Sequence, residues 1–292
     1  MNLHFLINIS SDTENLYGIR FFSSFFNDDV SCKITLFHIS RLDSSDASEA
    51  LLEAWRNPED KVEGNLTVGA KKALDKATRD LQRNQVNIEE MKTKSVKERY
   101  GKVKDILSES TRGLYDAMIL GRRATYALQW LFDRPADEIP LALINDTTLS
   151  CPLWVCTEPE PGRKNILLCV DGGESSYRAA DHVGYIVNQA RQHHVTVFHA
   201  SAADTGSDEI FARAVDILSK QGVDRERIHT KKSWSISPAA TILNEKNSGR
   251  YAAVAVGLEG TSGGFLTRIG MQGGTTAALI KKISKASLWC VP

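Results

Sequence analysis

The chain has 292 residues, 42% of them apolar and 25% charged, and a formal net charge of +0. Length points to about two domains and composition to an ordinary globular chain. The balanced charge gives no sign of a broad nucleic-acid or anionic-membrane surface, and no apolar run approaches the ~20 residues needed to cross a bilayer. The start, MNLHFLINIS, lacks a basic lead and has too short an apolar run for a signal peptide, so the expected compartment is the cytoplasm. Cys32, Cys151, Cys156, Cys169 and Cys290 form no CxxC pair and read as small apolar packing residues.

In chain order, residues 3–9 predict a strand, 15–26 a helix and 33–39 a second strand. A polar excursion follows over 41–66. Its reading is a solvated loop, with a lid or a partner contact as the alternative. Apolar spacing at Ala70, Ala73, Leu74, Ala77 and Leu81 predicts a helix over 68–84. A weakly marked strand is expected over 86–95, a helix over 100–113 and strands at 117–120 and 153–156. The stretch 157–162, TEPEPG, is a turn-forming linker where a hinge would fall. Beyond it the order repeats more compactly. Strands are expected at 166–170, 195–200, 228–233, 252–256 and 287–291, and helices at 174–191, 208–221, 238–248 and 274–284.

The two halves also match in sequence. Residues 33–40 resemble 194–201, 115–121 resemble 251–257, 153–156 resemble 288–291, and 5–9 parallel 166–170. Four apolar blocks recurring in order indicate a duplication. Strands alternating with helices, apolar on both faces, predict an α/β fold: two doubly wound domains, 1–157 and 163–292. Each is a five-stranded parallel sheet flanked by helices, and the two pack as a pseudo-two-fold pair. Ligands of such sheets bind beyond the carboxyl ends of the strands, at the switch point of the strand order.

One stretch stands at such a point. Residues 251–276 read YAAVAVGLEGTSGGFLTRIGMQGGTT, an apolar strand, a glycine-rich loop and a helix start. Glycines let the backbone approach an anion closely, and the helix start adds unpaired N–H donors. Asp171 ends another apolar strand, where its carboxylate can accept from a sugar hydroxyl or base amine. Its competing role is to cap the helix that follows. No lysine follows Gly274, which disfavours a P-loop.

Val170-Asp171-Gly172-Gly173-Glu174-Ser175-Ser176 resembles the opening of a universal stress protein domain. Gly257-Leu258-Glu259-Gly260, followed later by Gly274-Thr275-Thr276, is similar to that family's ATP-binding pattern, with one departure. At the family spacing stands Gly270, which Met271 follows, and the Gly-Thr pair arrives four residues later. Gly274 is preferred because it keeps the usual distance to the final helix and strand. The resemblance implies that Asp171 faces adenine and ribose, that Val256 and Gly257 lie near the sugar, and that Gly260, Gly274, Thr275 and Thr276 cradle phosphates. It implies ATP, with or without Mg, as ligand and a regulatory role in stress. It also implies that the last strands, which pair across a dimer two-fold in the family, can pair here within one chain. That pairing would bring Cys156 and Cys290 into one neighbourhood, where a regulatory disulfide is a hypothesis.

The first half departs from the pattern. Ser10 stands in place of Asp171, Gly121-Arg122-Arg123-Ala124 replaces the glycine motif, and Asp133, Asp137 and Glu138 would repel phosphates. The first half is expected to be structural, with Arg122 and Arg123 solvated. His38 and His199 occupy equivalent strand positions and read as hydrogen-bonding residues rather than catalysts. No nucleophile or general base stands out, so at most slow ATP hydrolysis is expected. The main alternative is a scaffold of the same fold that binds no nucleotide and acts through an unidentified protein partner. The chain either stops at its internal pair or pairs again as a homodimer.

Overall fold

The computed structural model describes residues 2–26, 30–40, 66–84, 86–122, 138–202, 206–258 and 274–292. The excursion over 41–65 and the loop over 259–273 lie outside the described residues. The first half runs β1 (Leu3–Asn8), α1 (Tyr17–Phe25), β2 (Cys32–Ser40), α2 (Val68–Arg83), β3 (Ile88–Lys97), α3 (Lys102–Arg112), β4 (Ala117–Gly121), α4 (Glu138–Ile144) and β5 (Leu153–Cys156). The second half opens with β6 (Lys164–Cys169), α5 (Glu174–Gln189), β7 (Val195–Ser201) and α6 (Ser207–Lys220). It continues with β8 (Ile228–Trp234), α7 (Pro238–Ser248), β9 (Tyr251–Gly257), α8 (Thr275–Lys282) and β10 (Ser287–Val291).

These elements build one ten-stranded sheet in the order β3-β2-β1-β4-β5-β10-β9-β6-β7-β8. Each half contributes five parallel strands, and the order of one half mirrors that of the other. The inner strands are apolar on both faces because helices cover both. Ile19 of α1, Leu74 of α2, Val183 of α5 and Leu218 of α6 share one core layer. Ile106 of α3, Leu143 of α4, Ile242 of α7 and Leu279 of α8 share the other. The apolar spacing expected in α2 is the face it buries, and Thr67 caps that helix by accepting from the Ala70 N–H at 3.2 Å. β3 is an edge strand with half-buried residues, which is why its apolar signal is faint.

The halves join where β5 runs antiparallel to β10. Trp154 is registered opposite Trp289, and their rings stack 3.9 Å apart and 2° from parallel. Phe25 packs edge-on against Trp289 at 5.3 Å, so a helix of the first half covers the strand of the second. This pairing removes two apolar sheet edges from solvent. It also rules out the Cys156–Cys290 disulfide. Cys156 is registered opposite Ser287 and belongs to one core layer, whereas Cys290 is opposite Leu153 and belongs to the other. Both thiols are free, and burial pushes each up to about 12, which makes them inert.

The linker is tied down. Glu160 accepts from Arg163 Nε at 2.7 Å and lies 3.7 Å from Arg250 Nη1 and 3.8 Å from Lys285 Nζ. The joint expected to hinge is braced by charge from three directions.

Candidate functional site

The strand order of the second half reverses between β6 and β9, so its crevice opens at their carboxyl ends. β6 leads through Val170 and Asp171 into α5. Gly172 has φ +89°, a left-handed conformation that glycine adopts without strain. Asp171 Oδ1 accepts from the Gly173 N–H at 2.9 Å, and Ser176 Oγ donates to the Gly173 carbonyl at 2.8 Å. Asp171 therefore orders the turn that starts α5. Its side chain is exposed, and no hydrogen bond from a described residue reaches its second oxygen.

Val256 and Gly257 end β9 against that turn. A Cβ at Gly257 would lie 2.2 Å from the Ser175 carbonyl group and 2.6 Å from the Ser176 nitrogen. Glycine is required there because the first turn of α5 crosses the strand. Gly121 has the matching role, with a Cβ position 3.3 Å from the Gly18 nitrogen of α1. Leu258, the last described residue before the loop, donates its N–H to the Val291 carbonyl at 2.6 Å. Gly260 lies outside the described residues, as do Gly270 and Met271.

The chain re-enters at Gly274, the N-cap of α8, with no side-chain cap on the helix. A Cβ at Gly274 would meet no described residue within 4 Å. Among the described residues, packing thus demands a glycine at 257 but not at 274. Thr275 and Thr276 are half-buried in the first turn. Among the described residues no hydrogen bond joins this helix start to Asp171. Nor does any group of three His, Cys, Asp or Glu there form a candidate metal cluster.

Two arginines near these places were not singled out as contacts in the sequence. Arg178 of α5 donates from Nε to the Pro292 carbonyl at 2.7 Å and from Nη2 to the Leu258 carbonyl at 3.4 Å, bracing the entry to the loop. Arg213 pairs with Glu174 at 2.8 Å, and its guanidinium lies 3.9 Å above the Tyr177 ring. The hydrogen bond from Arg213 holds the Glu174 carboxyl below the usual range. The spacing of Glu174 and Arg178, one helical turn, is that of any exposed pair, and the real partners of Arg178 stand 114 and 80 residues away.

Arg122 corrects an expectation. It is buried, not solvated, and donates to the Ile283 carbonyl at 2.8 Å and the Lys281 carbonyl at 2.7 Å. It caps the C-terminal end of α8 in the other half, where a cation complements both the open carbonyls and the helix dipole. Elsewhere in the first half Ser10 accepts from the Asp12 N–H at 3.3 Å, while Asp12 accepts from the Glu14 N–H at 2.9 Å and the Asn15 amide at 2.7 Å. Side chains fill the turn that Asp171 orders in the second half. Arg123, Asp133 and Asp137 lie outside the described residues, as does the side chain of Glu138. The two strand histidines behave as expected: His38 Nδ1 is 2.8 Å from the Ile9 carbonyl and His199 Nδ1 is 2.7 Å from the Val170 carbonyl.

Two open, doubly wound α/β units with crevices at their strand ends define the class. The chain has the fold of the universal stress proteins, twice over. A universal stress protein from Archaeoglobus fulgidus DSM 4304 superposes over 99% of this chain and 95% of its own, with a TM-score of 0.63 at 13% identity. A putative universal stress protein from Pseudomonas aeruginosa UCBPP-PA14 does so over 99% and 92%, with a TM-score of 0.50 at 14% identity. A third structure, a universal stress protein in complex with cAMP, matches over 44% of this chain and 96% of its own, with a TM-score of 0.37 at 20% identity. No protein-family model matches the chain, and no curated protein matches it. No helix among the described residues is long and apolar enough to cross a membrane.

Proposed function

We propose that the chain is a nucleotide-responsive regulatory protein of the stress-response kind. Its second half binds an adenine nucleotide, ATP with or without Mg, in the crevice between β6 and β9. In this reading Asp171 takes the base and ribose, Val256 and Gly257 flank the sugar, and Gly260, Gly274, Thr275 and Thr276 take the phosphates. The two halves, 1–157 and 163–292, are two domains, and the first is a structural partner.

One observation carries the proposal. The two halves match strand for strand, yet only the second follows its fourth strand with a glycine-rich stretch and a helix start with open space at Gly274. The first half closes the turn after its first strand with Asp12 and sends Arg122, just after its fourth strand, into the domain joint. A glycine that packs against no described residue, at the head of a helix near a switch point, is what a backbone phosphate contact needs.

Equilibrium dialysis with ATP, ADP, AMP and cAMP, each with and without Mg, tests it. The parent is expected to bind at least one of them, and Gly274→Val to weaken that binding at least tenfold without loss of Tm, since the added side chain meets no described residue. Absence of binding to all four, with Gly274→Val indistinguishable from the parent, overturns it. A second reading, a scaffold without nucleotide, is favoured by Gly257, whose glycine is explained by packing alone. Partner capture unaffected by added ATP would support that reading.

A further inference from the structure

At the end of the sheet away from Asp171, a cavity of about 310 Å³ lies at the joint between the halves. Phe21, Phe25 and Phe26 at the end of α1, only 1%, 2% and 3% exposed, floor it with Ala252 at the start of β9, and Pro159 and Pro161 of the linker complete its apolar wall. The wall is held in place. The Phe25 carbonyl accepts from Gln192 Nε2 at 2.8 Å and pairs with His193 Nε2 at 2.8 Å, and the Phe25 ring stacks on the His193 ring at 4.0 Å. The volume matches about ten water molecules, and hence a ligand of roughly ten heavy atoms. It lies at the lower end of the size range of small-molecule sites.

The rim has the opposite character. Lys164, the first residue of β6, and Lys285, in the turn before β10, both line it with Arg163. Glu160 is the single carboxylate among the described lining residues, and it already faces Arg163, Arg250 and Lys285. Lys164 makes no ion pair among the described residues. Among the described lining residues, three cations thus stand against one anion beside an apolar wall. Lys246, below Arg163, is held down to about 8, first by burial and then by Arg163, with Glu160 opposing and Lys285 adding less.

We infer that this joint is a binding site for a small amphipathic carboxylate, whose apolar body lies against Phe21, Phe25, Phe26 and Ala252 and whose anionic head meets Lys164 and Lys285. Charge and shape select the ligand together. A neutral alcohol of the same length fills the wall but leaves the lysines with water, and a short acid satisfies the lysines without covering the wall. The site is separate from the β6–β9 crevice, so it stands or falls independently of nucleotide binding.

Isothermal titration of the full chain with octanoate tests the inference, with octan-1-ol and acetate as comparison probes. Octanoate is expected to bind once per chain, and each comparison probe at least tenfold more weakly. The double variant Lys164→Glu, Lys285→Glu is expected to weaken octanoate at least tenfold while leaving octan-1-ol unchanged. Ser24→Trp places a ring at the exposed mouth and is expected to block both. Ser24 is outside the core, so that variant keeps the parent Tm. Absence of octanoate binding, or octanoate binding unchanged in both variants, overturns the inference.

Discussion

One group of residues recurs in both halves. Tyr115 donates from its hydroxyl to Glu109 at 3.0 Å, and Lys94 pairs with the same carboxylate at 2.7 Å. In the second half the Tyr251 hydroxyl donates to Glu245 at 3.4 Å and lies 3.0 Å from the Thr196 hydroxyl, and Lys231 pairs with Glu245 at 2.7 Å. The tyrosine ring covers a glycine in each case, with a Cβ position 1.9 Å from the ring at Gly113 and 2.2 Å at Gly249. A network present equally in the half without a glycine loop serves the fold. Removing the carboxylate takes one partner from a half-buried hydroxyl and one from a partly exposed lysine, so Glu109→Ala is expected to cost about 1.5 kcal/mol in urea unfolding. Histidine gives a pH dependence at the same scale. His182 accepts from Trp154 Nε1 at 3.1 Å, and burial alone pushes it down to about 3. The unfolded chain protonates this histidine below 6.5 while the folded chain does not, so the unfolded state binds more protons between those values. Stability present above pH 6.5 is therefore lost as pH falls towards 3, at about 1.4 kcal/mol per pH unit for this group. Urea midpoints from pH 7.5 to 4.5 are expected to show the fall, and a shallower one in His182→Gln.

At the scale of elements, close crossings and helix ends decide what the sequence must supply. Gly257→Ala drives a methyl into the backbone of α5, which must move as a unit, and is expected to cost more than about 3 kcal/mol by thermal unfolding. Arg122→Leu strips two carbonyls of α8 of their donors and is expected to cost about 2 kcal/mol, with Arg122→Lys a poor rescue because one ammonium replaces a two-pronged fork. These two positions mark where legibility stopped. The eight strands other than the two edge strands, β3 and β8, were readable because both their faces are apolar, and the duplication was readable because its blocks recur in order. β3 was faint because one of its edges faces solvent. Gly257 was noticed for its glycine, but its need comes from Ser175 and Ser176, far back in the chain. Arg122 looked like one of a surface pair because its acceptors, Lys281 and Ile283, are backbone groups that no side-chain pattern announces. Asp171 and Gly274 were legible as residue types at strand and helix ends. Gly260 falls outside the described residues.

At the scale of the molecule, the β5–β10 pair makes one chain do what two copies of a single domain would do. Phe25, Gln192 and His193 fasten one flank of the joint, Arg122 another, and the braced linker holds them in register. Truncating Trp289 to Ala removes a stacked ring from a fully buried layer, and a loss of about 4 kcal/mol is expected in chemical unfolding. The seam strands Leu153–Cys156 and Ser287–Val291 carry no charged residue, unlike the lysine-bearing outer strands β3 and β8. They are protected only by each other. During refolding, each half can complete its own five strands before the halves dock, and in that interval both bare edges are open. A chain that meets a second copy first can give its β5 to the other's β10 and receive the reverse, which closes both seams in an exchanged dimer. Refolding at high protein concentration is therefore expected to trap a dimer with native far-ultraviolet circular dichroism, and refolding at high dilution to yield monomer. Light scattering on the two preparations reads the difference, and the fused gene then acts as a kinetic device that raises the odds of correct docking over exchange.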